Sequence, residues 1–200
     1  LHLKAGNSPT SSERRNQDAV IFKKYLINNG MEKKLFVGGD FNFYDYSELG
    51  CQEILYGQNL TLIDPINRMG NWHNNSSYSN YHTQSTRLNS GSYAGGASGG
   101  MDDRFDFIFV SDDILSGSEG VKYLDSSYQI EGQDGSCFNQ ALNFTTNSVI
   151  DQELATAFYY MSDHLPVSMQ FCVGGTVGEK TMRSSKIDIL YDSEIRSISI

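Results

Sequence analysis

The sequence predicts an α/β fold in which strands and helices alternate along the chain. Two observations lead to this prediction. Short apolar runs stop at glycines, as buried strands do, and longer segments carry apolar residues at helical spacing. The chain has 200 residues, 38% of them hydrophobic and 12% aromatic, which is enough for one domain with its own core. No run approaches the ~20 apolar residues that a membrane-spanning helix needs.

The first part of the chain is predicted to contain two helices and three extended segments. Ser11, Ser12 and Glu13 are typical of a helix start, and Asn29-Gly30 is typical of a helix end. Pro65 ends the last extended segment. The predicted elements are a strand end at residues 1–4, a helix at 11–29, a strand at 35–39, a helix at 47–56 and an extended segment at 61–64.

The second part begins with a long polar segment, residues 70–100, which is rich in Asn, Ser, Gly and Tyr and is expected to be a surface loop. Strands are expected at 105–110, 121–130 and 165–173, with a polar loop at 132–147 and a helix at 151–160. The runs 186–191 and 194–200 alternate around Asp192-Ser193 and are expected to form a hairpin. These features predict a domain over residues 1–173, followed by a linker and hairpin over 174–200 that begins a C-terminal extension.

The net charge bears on nucleic-acid binding, and the cysteine spacing bears on zinc binding. The formal net charge is −9, so the surface repels nucleic acid at long range. A nucleic-acid substrate would therefore need a local basic patch or a bound cation. Cys51, Cys137 and Cys172 show no CxxC spacing, which argues against a zinc site. One disulfide with a free thiol and three reduced thiols both fit the sequence.

The segment KLFVGGDFNF places Asp40 and Asn42 directly after an apolar run and two glycines. If the chain stays extended there, both side chains point the same way. An acid beside an amide suits phosphate chemistry, because the acid can bind a cation or donate a proton and the amide can hold a phosphoryl oxygen. The alternative is a simple turn, since Asp and Asn both favour turns.

Two further segments carry candidate catalytic groups. Asp106 lies among aromatic residues in FDFIFV and needs a partner there. A histidine is a suitable partner because the acid fixes its tautomer, and a structural bridge to Arg104 is the alternative. Asp163 and His164 precede a strand. As neighbours on an extended chain they are expected to face apart, Asp163 towards a metal and His164 towards substrate; the alternative is a loop with a surface histidine.

Three histidines remain outside these segments. His2 lies in the predicted strand end and carries little information alone. His82 begins the polar run HTQSTR, which ends at Arg87; that arginine would suit a phosphate contact, but a solvated loop is the favoured interpretation. His73 is expected on the surface.

In order, the segments HLK, GGDFN, DDRFDFI and SDHLPV resemble the endonuclease/exonuclease/phosphatase family, the superfamily of DNase I and of apurinic-site endonucleases. The resemblance covers residues 1–173. It implies a four-layer α/β/β/α sandwich of the DNase I-like type. It also implies hydrolysis of phosphate esters with a divalent metal, usually Mg²⁺, with Mn²⁺ or Ca²⁺ as alternatives.

The resemblance also assigns roles. Asn42 would contact the scissile phosphate, and Asp40 would orient a nucleophile, protonate a leaving group or contact the metal. Asp163 would lie near the metal and His164 at the scissile phosphate. His2 resembles the histidine that DNase-like members place on the phosphate.

The resemblance also gives a role to Asp106, and the chain departs from the family pattern in one main respect. Asp106 matches the acid that orients the family's catalytic histidine. The family's Asn and metal-binding Glu, which precede the HLK-like strand, are not found here, so we expect this chain to be the C-terminal half of the domain, incomplete at its N-terminus. We therefore expect this chain alone to lack robust catalysis.

The resulting expectation is a metal-dependent phosphodiester hydrolase, most simply an endonuclease-like enzyme acting as a monomer, in which a His–Asp pair activates water. The alternatives are a phosphatase or sphingomyelinase-like enzyme acting on a small or lipid-linked phosphoester, or an inactive truncated binding module. The polar loop and the trailing hairpin resemble secreted bacterial members of the family.

Overall fold

A computed structural model of the chain describes residues 1–89 and 96–174 and the backbone of residues 183–186. The described residues form a mixed α/β fold, as predicted. Its elements are α1 (Pro9–Asn28), β1 (Phe36–Asp40), α2 (Leu49–Tyr56), β2 (Leu62–Ile63), β3 (Asp106–Ser111), α3 (Asp112–Ser116), β4 (Val121–Tyr123), β5 (Gln129–Ile130), α4 (Gln152–Met161), β6 (Val167–Ser168), β7 (Gln170–Val173) and β8 (Arg183–Lys186). Two short 3₁₀ helices cover Gly57–Asn59 and Ser76–Tyr81.

Helix α1 begins two residues before the predicted start. Ser8 is its N-cap, and the Ser8 hydroxyl accepts a hydrogen bond from the Ser11 N–H at 3.1 Å. Pro9 occupies the first turn, where its missing N–H costs nothing. The N-cap is therefore Ser8, three residues before the predicted Ser11. No helix among the described residues is long and apolar enough to cross a membrane.

The central sheet has the strand order β1–β3–β2, and both pairings are antiparallel. Its register sets Asp40 at the end of β1 directly opposite Asp106 at the start of β3. The beginning of the chain adds a parallel bridge between His2 and Asp40, and the Leu3 N–H donates to the Asp40 carbonyl at 2.9 Å. Three candidate site residues are therefore brought together by main-chain pairing.

The close approach of the chain start to β1 depends on Gly39. Its φ is +146°, and a Cβ there would lie 1.8 Å from the Leu1 carbonyl oxygen. Gly38 differs, because a Cβ there would meet only Ile108 Cγ1, at 3.7 Å. The two glycines are neighbours in sequence, but only Gly39 is required by the packing.

We therefore expect Gly39→Ala to lower the free energy of unfolding by about 2 kcal/mol or more, because strain and the displaced chain start add. The matched substitution Gly38→Ala should change it by only about 0.5 kcal/mol. Urea denaturation followed by tryptophan fluorescence measures both, since Trp72 is fully buried. Equal losses in the two variants would contradict the role given to Gly39.

The central sheet is covered on both faces because side chains of β3 alternate between them. Phe107 and Phe109 pack with Ala19 of α1 and Ile54 of α2 in one cluster. On the other face Ile108 and Val110 belong to a cluster with Tyr123 and Met169. All six residues of β3 are buried. A full four-layer sandwich stays a prediction.

The predicted strands at 121–130 and 165–173 each divide into two short strands. Ser126 has a positive φ of 66°, and the chain turns there. As a result β4 pairs with β7, while β5 pairs with β6. β8 pairs with β7 and extends that sheet. The hairpin predicted over 186–200 lies outside the described residues apart from the end of β8, and the domain boundary at 173 stays a prediction.

The expectation that residues 70–100 form a surface loop is wrong for much of the segment. Trp72, His82, Thr83 and Thr86 are fully buried. The Trp72 indole N–H donates to the Phe43 carbonyl at 2.9 Å. Polar side chains replace an apolar core here because they satisfy main-chain groups of the interior. Residues 90–95 lie outside the described part of the chain.

Cysteines and buried charges complete the interior. All three cysteines are buried and unpaired. The Arg104 guanidinium is fully buried and forms two hydrogen bonds of 2.9 Å with Asp64. Arg15 is likewise buried and pairs with Glu48 at 2.8 Å. Each of these deeply buried arginines therefore has a carboxylate partner, as burial of a charge requires.

Candidate active site

A cleft of about 420 Å³ lies where the chain start meets the ends of β1 and β3. The sequence-predicted residues that line it are His2, Asp40, Asn42, Asp163 and His164. They come from three segments that are far apart in sequence, and a fourth segment supplies Asp106 behind His164. The structure therefore brings all six candidate residues to one place.

His164 and Asp106 form a close imidazole–carboxylate pair in the site. His164 Nδ1 lies 2.7 Å from Asp106 Oδ2, and both side chains are nearly buried. The alternative bridge between Asp106 and Arg104 is wrong, because Arg104 pairs with Asp64. Asp106 therefore fixes the orientation of the imidazole, and Nε2 is the nitrogen that faces the cleft residues.

Asp40 and Asn42 do not lie on an extended chain, so that expectation is wrong. Asn42 has a left-handed φ of 53°, and its N–H donates to Asp40 Oδ1 at 3.0 Å. The turn and the site are therefore the same feature: the turn folds the Asn42 side chain towards Leu3, whose carbonyl accepts from Asn42 Nδ2 at 3.2 Å. Both side chains still line the cleft.

Two imidazoles flank the second carboxylate oxygen of Asp40. Asp40 Oδ2 lies 3.5 Å from His2 Nε2 and 3.8 Å from His164 Nε2. His2 is the more accessible of the two, with 59% of its side chain exposed against 13% for His164. A ligand entering the cleft would therefore meet His2 first and His164 at the base.

Asp163 and His164 do not face apart as expected. The chain bends at Asp163, and the His164 N–H donates to Ser162 Oγ at 3.0 Å. This bend brings Asp163 Oδ2 to 3.9 Å from His164 Nε2. The same oxygen accepts a hydrogen bond from the Ala97 N–H at 2.6 Å. Asp163 is thus held at the cleft wall by the far end of the polar segment.

Gln84 is a site residue that the sequence did not reveal. Its side-chain nitrogen lies 2.5 Å from His164 Nε2, and its backbone bridges to both Asp103 and His164. An amide nitrogen can only donate, so either His164 Nε2 is unprotonated and accepts from it, or the amide is turned so that its oxygen accepts from a protonated Nε2. The protonation of His164 and the orientation of the Gln84 amide are therefore coupled. Nothing in HTQSTR distinguishes Gln84 from its polar neighbours, and only the fold does so.

Burial and charge shift the pKa values of the two central groups. Burial, and then the charge of Asp106, raise the pKa of Asp40 to about 7, although His164 opposes the change. Burial lowers the pKa of His164, but the charge and hydrogen bond of Asp106, with the charges of Asp40 and Asp163, raise it to about 9. In the ion-free protein His164 is therefore an imidazolium at neutral pH.

We expect an NMR titration to show His164 charged to beyond pH 8, whereas His82, whose pKa burial lowers, stays neutral. Because the folded-state pKa of His164 exceeds the unfolded value of about 6.5, its contribution to stability is complete below that pH. The contribution should be lost as pH rises through about 9. A His164 ring that titrates near 6.5 in the ion-free protein would contradict the geometry of the site.

The site can also offer ligands to a cation. Asp40, Asp106 and His164 present ligand atoms that lie within 4.8 Å of one another. Asp163, predicted as a ligand with Asp40, lines the same cleft but stands outside that group.

No family model, curated protein or solved structure matches the chain.

Proposed function

We propose that the protein is a metal-dependent phosphodiester hydrolase of the endonuclease/exonuclease/phosphatase type, with the four-layer sandwich of that family. The observation that carries the proposal is the His164–Asp106 pair at 2.7 Å with Asp40 across from it at 3.8 Å. An oriented imidazole facing a second carboxylate at the base of a cleft is the arrangement that general acid–base hydrolysis needs. The family order of the four motifs supports the same assignment.

Asp40 and Asp163 are the residues that we propose to hold Mg²⁺, with Mn²⁺ or Ca²⁺ as substitutes. The side chains present fit such an ion, because Asp40 and Asp163 line the same cleft and burial raises the pKa of Asp40 even though the charge of His164 opposes the change. A cation there would favour the ionised form of the Asp40 carboxylate. Carboxylate oxygens are also the ligands that Mg²⁺ prefers. When bound, the ion would supply Lewis acidity and charge neutralisation at the phosphate.

His164 would take a proton from the attacking water, and Asp106 would stabilise the imidazolium that results. This role needs His164 to be neutral beforehand, whereas the three surrounding carboxylates favour its charged form. Neutralisation of Asp40 and Asp163 by a cation would remove part of that bias. Metal binding and the competence of His164 as a base are therefore linked.

Asn42 and His2 would bind the phosphoryl oxygens on which negative charge develops. The Asn42 amide is 3% exposed and is held by the Leu3 carbonyl, so it is preorganised at the cleft. The leaving oxygen would receive its proton from His2, or from Asp40 if Asp163 alone holds the ion, because a carboxylate bound to a cation has no proton to give. Both residues line the cleft beside His164.

The charge of the cleft favours a second substrate class as the alternative. No Lys or Arg is among the described residues that line it, and the chain carries a net charge of −9. Long nucleic acids gain most of their affinity from basic contacts to phosphates. A small or lipid-linked phosphoester, as taken by phosphatases and sphingomyelinases, needs fewer such contacts. The protein would act on either class as a monomer.

The test compares hydrolysis of plasmid DNA and of sphingomyelin in Mg²⁺ by the protein and by its His164→Ala variant. We expect hydrolysis of one substrate, with a loss of about 10²-fold or more in the variant. Equal rates in the two proteins would overturn the proposal. Titration of the 200-residue chain with Mg²⁺ in a calorimeter addresses the remaining alternative, since an absence of binding heat would favour an inactive module.

A further inference from the structure

A second cluster of metal-ligating side chains lies outside the residues that line the cleft. His73, Asp102 and Asp103 each offer one ligand atom, and these atoms lie within 4.8 Å of one another. The cluster adjoins the cleft through Tyr44, which lines it and whose ring packs edge-on against His73 with centroids 5.0 Å apart. None of the donors is a cysteine, so cysteine spacing gave no sign of this cluster.

The main chain holds both sides of the cluster in place. His73 follows the fully buried Trp72, and the next N–H, that of Asn74, donates to the Asp102 carbonyl at 2.9 Å. The N–H groups of Asp102 and Asp103 both donate to the Gln84 carbonyl, at 2.9 and 3.0 Å. The three donors are therefore presented by backbone that is already fixed.

Among the described residues, the cluster lacks a guanidinium or ammonium partner of the kind that the buried acid Asp64 has. Asp103 is 6% exposed, and its contact is His73 Nδ1, which lies 2.7 Å from Asp103 Oδ1. Within residues 1–89 and 96–174, no Lys or Arg pairs with Asp102 or Asp103, and no other residue donates a hydrogen bond to the Asp102 carboxylate. By contrast, the purely structural acid Asp64 is paired with Arg104.

The two acids are consecutive in the chain and neither is exposed, Asp103 being buried and Asp102 half-buried. His73 is the side chain that lies within hydrogen-bonding distance of the Asp103 carboxylate. Two adjacent carboxylates thus share one imidazole. A divalent cation would balance their charge, and the His73 side chain, 39% exposed, leaves an approach from solvent.

We propose that His73, Asp102 and Asp103 form a second divalent-cation site, which prefers Zn²⁺ or Mn²⁺ to Mg²⁺ and Ca²⁺. Imidazole is a ligand for transition metals, whereas Mg²⁺ and Ca²⁺ select sites made only of oxygen. Ligand atoms that share a zinc ion lie about 3 to 4 Å apart, so donors already within 4.8 Å need only small side-chain movements. This site does not depend on the hydrolytic activity proposed for the cleft.

The first experiment is calorimetric titration of the protein with Zn²⁺, repeated on His73→Gln, on Asp102→Asn and on the matched control His164→Gln. We expect His73→Gln and Asp102→Asn each to weaken one zinc-binding event by at least 10-fold. The control should keep that event, because His164 belongs to the cleft. Superimposable isotherms for the wild type and His73→Gln would overturn the proposal.

A second measurement uses the wild-type protein alone, so it does not depend on the folding of any variant. Substoichiometric Mn²⁺ should broaden the ring resonances of His73, and Zn²⁺ should shift them, while an excess of Mg²⁺ leaves both effects in place. His73 resonances that stay sharp and unshifted in a molar excess of Mn²⁺ and Zn²⁺ would show that the cluster is only a structural ion pair. Neither measurement reads hydrolysis, so failure here and failure of the proposed function are distinguishable.

Discussion

Asp106→Asn is expected to reduce hydrolysis by about 10²- to 10⁴-fold without unfolding the protein. Asparagine has nearly the same shape, but it cannot stabilise the imidazolium of His164, and its amide N–H favours the wrong tautomer. Asp106 is held by main-chain pairing and by the Thr83 hydroxyl, which accepts from its N–H at 3.1 Å, so the fold should tolerate the change. The measurement is kcat on whichever substrate class the protein hydrolyses.

The same variant gives an independent reading that needs no substrate. Asp106 supplies the largest of the effects that raise the pKa of His164 to about 9, so its loss should move that pKa down. Asp125→Asn is the matched control, since Asp125 is exposed and lies outside the cleft. An unchanged titration of His164 in Asp106→Asn would mean that the two side chains are not paired in solution.

Asp64→Asn is expected to lower the free energy of unfolding by about 3–5 kcal/mol, the largest stability change that we predict for a single substitution. Arg104 is fully buried and packs over the ring of Phe107 at 4.3 Å, so it cannot move to water when its partner is removed. The cost is that of an uncompensated buried charge. Chemical denaturation with a constant m-value measures it.

Two controls separate this effect from the loss of any carboxylate. Asp18 pairs with Arg14 on the surface of α1, and Asp18→Asn should cost about 0.5 kcal/mol or less. In the double variant Asp64→Asn with Arg104→Met the buried charge is gone, and part of the loss should be recovered. A double variant as unstable as the sum of its single variants would contradict the argument.

The strands that could be predicted from the sequence are those whose residues are mainly apolar. β1 and β3 are apolar runs, and every residue of β3 is buried, so their existence followed from the pattern. The division of two longer predicted strands did not follow, because it depends on a left-handed Ser126 and on a change of pairing partner. Neither the left-handed residue nor the change of partner alters the hydrophobic pattern of the sequence.

Some features of the candidate site could likewise be predicted from the sequence, and others could not. An acid among aromatic residues has few possible partners, and the structure pairs Asp106 with His164 rather than with Arg104. The turn at Asn42 was only the alternative interpretation of its segment, and the bend at Asp163 and the contact of Gln84 were not predicted. Each of these arises from hydrogen bonds between a side chain and a distant or neighbouring backbone group, and a polar sequence permits many such bonds but specifies none of them.

The pairing of Asp40 with both His2 and Asp106 also has a consequence for how the protein folds. The partners at the base of the cleft are separated by 38, 58 and 80 residues in the pairs His2–Asp40, Asp106–His164 and Gln84–His164. Closing loops of this length costs entropy before any contact repays it, whereas α1 requires only local contacts. The cleft should therefore be among the last regions to form and among the first to report on loss of the native topology.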